Sequence, residues 1–64
     1  MYKVYANLVM KGLRTIESVP DDLRDDVREE VVSRYAKLIR EGSKTIEDVP
    51  ESLRDAVLEL LAAE

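Results

Sequence analysis

The chain has 64 residues, enough for one small domain, and its 14 acidic and 10 basic residues leave a net charge of −4. It contains no Cys and no His, so disulfides, thiolate metal sites and the commonest general base are excluded. No run of about 18 apolar residues and no signal-peptide pattern is present, which predicts a cytoplasmic protein without a membrane span. The acidic balance argues against the basic surface of a nucleic-acid binder.

The first element is a helix predicted over residues 2–11. Val4, Tyr5, Leu8 and Val9 recur on one side of this helix and predict its buried face. Gly12 follows at the position where a residue with left-handed backbone often closes a helix, and Gly adopts that conformation without a Cβ clash.

A tight turn is predicted over residues 15–19. Thr15 should cap a single helical turn whose Ile16 and Val19 point inward. Val19 should be extended because it precedes Pro20. Pro20 suits the first position of the next helix, where a missing N–H costs nothing.

A long central helix is predicted over residues 20–41, with no Gly or Pro to interrupt it. Its apolar side turns gradually from Leu23 and Val27 towards Tyr35 and Ile39, so we expect different neighbours to cover its two halves. Acidic residues fill the first half and basic residues the second, as the helix dipole favours. They are Asp21, Asp22, Asp25, Asp26, Glu29 and Glu30, then Arg34, Lys37 and Arg40.

The second turn and the last helix repeat these features. Gly42 should close the central helix, and Thr45 and Asp48 have the spacing of a capping box. The last helix is predicted over residues 50–63. Its buried stripe comprises Leu53, Ala56, Val57, Leu60 and Leu61, and Leu58 lies off that stripe.

The chain contains an internal duplication. A shift of 30 positions aligns Tyr5–Val27 with Tyr35–Val57, and 13 of the 23 pairs are identical. Such a period predicts repeated supersecondary units, here about 5–34 and 35–64 within a single domain, 1–64. The predicted fold is all-α, with two overlapping helix–turn–helix hairpins that share the central helix and outer helices antiparallel to it. The identical residues of the first copy are Tyr5, Ala6, Leu8, Gly12, Thr15, Ile16, Glu17, Val19, Pro20, Leu23, Arg24, Asp25 and Val27.

The charged residues allow functional and structural interpretations. The acidic run of the central helix could hold a divalent cation or an acid–base pair. The alternative is a solvent-exposed face whose charges match the helix dipole, since metal sites with oxygen ligands are normally formed by loops. Arg34, Lys37, Arg40 and Lys44 form a basic cluster that could contact nucleic acid or simply match the dipole. The polar residues shared by both copies could form two partner-binding patches, or Thr could cap each turn while Arg contacts its Glu or its carbonyls.

No catalytic, cofactor-binding or metal-ligating set is predicted, and no small-molecule substrate is evident. Several apolar or aromatic residues are hard to bury in a three-helix monomer and are therefore candidates for an interface with a protein partner or a second copy. The tyrosines among them could instead pack at the edge of the core with wet hydroxyls, or offer a ligand platform. These candidates are Tyr2, Tyr5, Val9, Met10, Val32 and Leu58.

One motif occurs twice in the chain. It comprises Tyr5-Ala6, Gly12, Thr15-Ile16-Glu17 and Leu23-Arg24, and it recurs from Tyr35 to Arg54. This motif resembles that of a group of short proteins encoded in phages and prophages of Firmicutes. Their genes lie near tail and lysis genes, and they hold a single copy of the motif. The resemblance implies a small accessory or structural protein in the bacterium or infected host, or associated with a virion, and it brings no catalytic residues.

These observations favour a non-enzymatic protein–protein interaction module that could self-associate. The alternative is a regulator that acts on nucleic acid, or on a DNA-binding protein as an acidic mimic. An enzyme is the third hypothesis, and the lack of His and Cys disfavours it.

Overall fold

A computed structural model describes residues 1–63, which form three α-helices. Helix α1 spans Tyr2–Met10, α2 spans Asp21–Arg40 and α3 spans Glu51–Ala62. A 3₁₀ turn precedes each of the last two helices, at Ile16–Ser18 and Ile46–Asp48. The predicted all-α class with three helices is confirmed, and the antiparallel hairpin arrangement stays a prediction. None of the helices in the described residues is long and apolar enough to cross a membrane.

The central helix is continuous, as predicted, because α2 passes through the join between the two copies as a single 20-residue helix. Its first turn carries Asp21 and Asp22 and its last turn carries Lys37 and Arg40, which matches the helix dipole at both ends.

The prolines do not occupy the first helical position that was predicted for them. Helix α2 begins one residue after Pro20, and Pro50 is the N-cap of α3 with a ψ of 139°. Each proline still contributes to the helix start, since its carbonyl oxygen accepts a hydrogen bond of 2.9 Å from the N–H of Leu23 or Leu53. Val19 and Val49 are extended, with ψ values of 139° and 133°, as predicted for residues before proline.

Glycine closes α1 and α2 in the same way. Gly12 and Gly42 have φ values of +76° and +79°, in the left-handed region. The N–H of Gly12 donates to Val9 at 3.0 Å and that of Leu13 donates to Leu8 at 2.9 Å, which is the Schellman pattern. Helix closure by glycine was predicted from the sequence and is confirmed.

The chain divides into two compact units, Met1–Val31 and Val32–Glu64. Each unit has its own buried apolar side chains, and Val27 and Val57, which are equivalent in the two copies, are both fully buried. The buried residues of the first unit are Ala6, Val9, Ile16, Val19, Val27 and Val31; those of the second are Val32, Tyr35, Ala36, Val49, Leu53 and Val57.

The buried side of α1 differs from the one predicted. Val4 is 56% exposed, whereas Ala6 is fully buried and Val9 is 8% exposed. The buried face therefore centres on the small residue Ala6 and not on the line from Val4 to Leu8. Because a small side chain allows a close neighbour, Ala6 can lie deepest, while the larger Tyr5 and Leu8 lie half-buried beside it.

Candidate functional site

The repeated arginines hold the repeated turns. Arg54 donates from Nε to the carbonyl oxygen of Val49 at 2.9 Å and from Nη2 to that of Glu47 at 3.1 Å. Arg24 donates from Nη2 to the equivalent carbonyl oxygens of Val19, at 2.9 Å, and Glu17, at 3.2 Å. The structural interpretation, in which Arg contacts the carbonyls of the turn, is therefore confirmed in both copies.

The two arginine contacts differ in one respect. The Nε atom of Arg24 is buried and finds no hydrogen-bond partner among the described residues, whereas Nε of Arg54 bonds to Val49. Arg24 makes an additional ion pair of 2.8 Å with Asp21, which lies on the surface. An exposed pair of this kind contributes little stability, so the second copy has the better-satisfied contact.

The threonines occupy the N-cap positions of the two 3₁₀ turns, as predicted, but the side chain of Thr15 makes no capping hydrogen bond. In the second turn Thr45 and Asp48 form a capping box, in which Oδ2 of Asp48 accepts a hydrogen bond of 3.0 Å from the N–H of Thr45. This bond is the main reason that the pKa of Asp48 lies below its ordinary value. In the first turn Ser18 replaces the acid, and its hydroxyl donates to the carbonyl oxygen of Thr15 at 2.8 Å.

The two equivalent tyrosines have different surroundings. Tyr35 is only 6% exposed, and burial, with a smaller contribution from the charge of Asp48, raises the pKa of its hydroxyl. Tyr5 is half-buried, and the guanidinium carbon of Arg14 lies 5.1 Å from the centre of its ring. That distance fits a cation–π contact. Both surroundings favour packing at the edge of the core over a ligand platform.

The six predicted interface residues fall into three classes of burial. Val9 and Val32 are each only 8% exposed, so these two interface candidates are buried, as the face predicted for α1 required of Val9. Tyr2, Tyr5 and Met10 are half-buried on α1. Leu58 is 50% exposed on α3, outside the stripe formed by the buried Leu53 and Val57, as predicted.

Three exposed apolar residues were not predicted as interface candidates. Leu13 is 72% exposed, Val4 is 56% exposed and Met1 is 80% exposed. Val4 was not an interface candidate because the sequence predicts it on the buried face of α1. The duplication gave a signal for Leu13, because the equivalent residue in the second copy is the polar Ser43.

Two open concavities lie within the first unit, and charged side chains line both. A concavity of about 460 Å³ is lined by Ile16, Glu17, Arg24, Asp25 and Arg28. A second, of about 220 Å³, is lined by Tyr2, Asp26, Glu29 and Glu30. The first combines two acids with two bases, and the second is acidic with one aromatic wall.

Among residues 1–63, no group of three acidic side chains could hold a metal ion. Comparisons of the chain with known protein families, curated proteins and solved structures find no match.

Proposed function

We propose that the chain is a non-enzymatic protein-binding module. The observation that carries this proposal is the exposure of Val4, Leu13 and Leu58, three large apolar side chains that lie at 56%, 72% and 50% exposure in a chain of only 64 residues. Exposed apolar residues form protein-binding surfaces where they are contiguous, whereas single ones are normal on any protein.

The repeat argues that these three side chains are not required for folding. The residues 30 positions away are polar: Arg34 for Val4, Ser43 for Leu13 and Arg28 for Leu58, of which only the pair Leu13 and Ser43 lies within the aligned segments. Both copies nevertheless form a helix, a glycine closure, a 3₁₀ turn and an arginine contact with the same two carbonyl oxygens of the turn. Apolar residues that the repeated fold does not need have another use, and binding a partner is the simplest one.

The repeated arginines, by contrast, are already engaged. Arg24 and Arg54 hold their own turns, so they do not supply a charged patch for a partner. The motif shared by the two copies, from Tyr5 to Arg24 and from Tyr35 to Arg54, supports a role as a small phage or prophage accessory or structural protein. The partner is then either another protein of that setting or a second copy of this chain.

The repeat also supplies the test. In the variant Val4→Arg/Leu13→Ser/Leu58→Arg, each exposed apolar residue is exchanged for the polar residue found 30 positions away, so the variant should remain helical by circular dichroism. We expect it to lose both self-association, measured by sedimentation velocity, and co-purification with any host protein that the original chain retains.

The matched control is Ser52→Asp, which exchanges an exposed polar residue of α3 for its equivalent, Asp22. This control should behave like the original chain. If the triple variant and the original chain show the same association and the same bound proteins, the proposal is wrong.

A further inference from the structure

We infer that α1 of one chain packs antiparallel against α3 of a second copy. This inference rests on the proposed function and names its partner. It concerns one stripe of exposed and half-buried residues on each helix, and each stripe lies within a single compact unit of its chain.

The stripe on α1 is apolar at its start and basic at its end. Met1, Val4, Leu8 and Lys11 follow one another at intervals of three or four residues, so they lie along one side of the helix and its cap. Met1 is 80% exposed, Val4 is 56% exposed, Leu8 is half-buried and Lys11 is exposed.

The stripe on α3 has the opposite polarity. Glu51, Asp55, Leu58 and Leu61 follow at the same intervals, so they also lie along one side. Glu51 and Asp55 are exposed, Leu58 is 50% exposed and Leu61 is half-buried. This stripe is therefore acidic at its start and apolar at its end.

An antiparallel pairing brings these two stripes into register. When Val4 lies opposite Leu58 of the second copy, Met1 lies opposite Leu61, because Met1 is three residues before Val4 and Leu61 is three residues after Leu58. Lys11 likewise lies opposite Glu51, because Lys11 is seven residues after Val4 and Glu51 is seven residues before Leu58. Apolar residues then meet apolar residues at one end and a base meets an acid at the other, while Leu8 and Asp55 lie across from each other between them, one residue out of register.

The charges of the two segments support a second copy as the occupant. Residues 1–14 contain Lys3, Lys11 and Arg14 and no acid, which gives a side-chain charge of +3. Residues 51–63 contain three acids and the single base Arg54, which gives −2, and Arg54 is bound to the carbonyls of its own turn. Complementary charges of this kind select the partner and its orientation, while the apolar residues supply most of the attraction. A chain of this size also gains stability by associating.

The test exchanges the charges of the pair Lys11 and Glu51. In Lys11→Glu every contact between copies brings two acids together, and in Glu51→Lys every contact brings two bases together. We expect each variant alone to associate about tenfold more weakly than the original chain, as when an exposed ion pair becomes a like-charge pair. In an equimolar mixture of the two variants, every contact between unlike chains again pairs an acid with a base, so association should recover.

Matched controls make the same charge changes off the stripes. Lys3→Glu on α1 and Glu59→Lys on α3 alter exposed residues that lie about 100° around their helices from Val4 and Leu58. Association is measured by sedimentation equilibrium up to millimolar chain, with circular dichroism as the check on folding. Controls that weaken association as much as the stripe variants, or a mixture that does not recover, would overturn the inference.

A second measurement uses the absence of cysteine from the sequence. Val4→Cys and Leu58→Cys, mixed and oxidised, should form the mixed disulfide in preference to either homodimer. A preference for a homodimer, or a chain that stays monomeric up to millimolar concentration, contradicts the inference. A monomeric chain that still binds a host protein through Leu13 or Leu58 would overturn this inference and leave the proposed function standing.

Discussion

Arg54 reaches back from α3 and donates Nε–H to the carbonyl oxygen of Val49 at 2.9 Å. Val49 is the extended residue that joins the 3₁₀ turn to the helix, and its side chain is only 1% exposed. The contact therefore fixes the direction in which the chain enters α3 and satisfies a carbonyl at the end of the turn. Arg24 does the same for Val19 at the entry to α2.

We predict that Arg54→Ala lowers the free energy of unfolding by about 1–3 kcal/mol, because it removes two hydrogen bonds from a charged donor. Arg24→Ala should cost less, since Nε of Arg24 has no acceptor among the described residues. Urea denaturation followed by circular dichroism measures both. Arg54→Lys should restore only part of the loss because an ammonium group does not reproduce the planar geometry of guanidinium.

The control for this prediction is Arg28→Ala, which removes an exposed arginine from α2. Its effect should stay within about 0.5 kcal/mol, as for most surface substitutions. An equal loss of stability in Arg28→Ala and Arg54→Ala would show that the arginine contact does not hold the turn.

Gly42 gives a second prediction, because its φ of +79° disfavours any residue with a Cβ. A Cβ at this position would have no atom within 4 Å, so a substitution changes only the backbone preference. Gly42→Ala should therefore lower the free energy of unfolding by about 1–2 kcal/mol.

Gly42→Asn is the matched variant for this test. Asn has the same Cβ but adopts left-handed backbone more readily, so it should cost less than Ala. Thermal and urea unfolding of both variants measure the difference. If Ala is tolerated as well as Asn, the strain at Gly42 is not what selects glycine there.

The sequence predicted those features that depend on a few neighbouring residues. Val19 and Val49 are extended because proline follows them, and Gly12 and Gly42 close helices because glycine tolerates positive φ. The continuity of α2 followed from the lack of any helix-breaking residue at the join. Each of these depends on local backbone chemistry.

The features that depend on packing were harder to predict. The periodicity of α1 favoured Val4 as a buried residue because it is large and apolar, yet Val4 is 56% exposed and Ala6 is fully buried. One sequence does not reveal where two helices come closest. For the same reason, the burial of Val32 and the exposure of Leu13 were not predicted, although comparison of the two copies pointed to Leu13 through its polar equivalent, Ser43.

Ser18 gives a third prediction, since it occupies the position of Asp48 in the first turn. Ser18→Asp should create the capping box found in the second turn, with the new carboxylate accepting from the N–H of Thr15. We expect a gain of about 0.5–1 kcal/mol in the free energy of unfolding for Ser18→Asp, and the reverse exchange, Asp48→Ser, should lower the free energy of unfolding. A variant Ser18→Asp no more stable than the original chain would contradict this prediction.

The last prediction concerns acid pH and the carboxylate of Asp48. The N–H of Thr45 lowers the pKa of this group in the folded chain, so the unfolded chain binds its proton more readily. The resulting stability is complete above the pKa of the unfolded chain, about 3.9 for Asp, and is lost as pH falls through the pKa of the folded chain.

The variant Asp48→Asn tests this dependence because it cannot bind that proton. The stability difference between the original chain and Asp48→Asn should therefore shrink as pH falls from 5 towards 2, in urea titrations at each pH. An NMR titration should place the pKa of Asp48 below that of the unfolded chain, and a difference that stays constant down to pH 2 would exclude this role for the capping box.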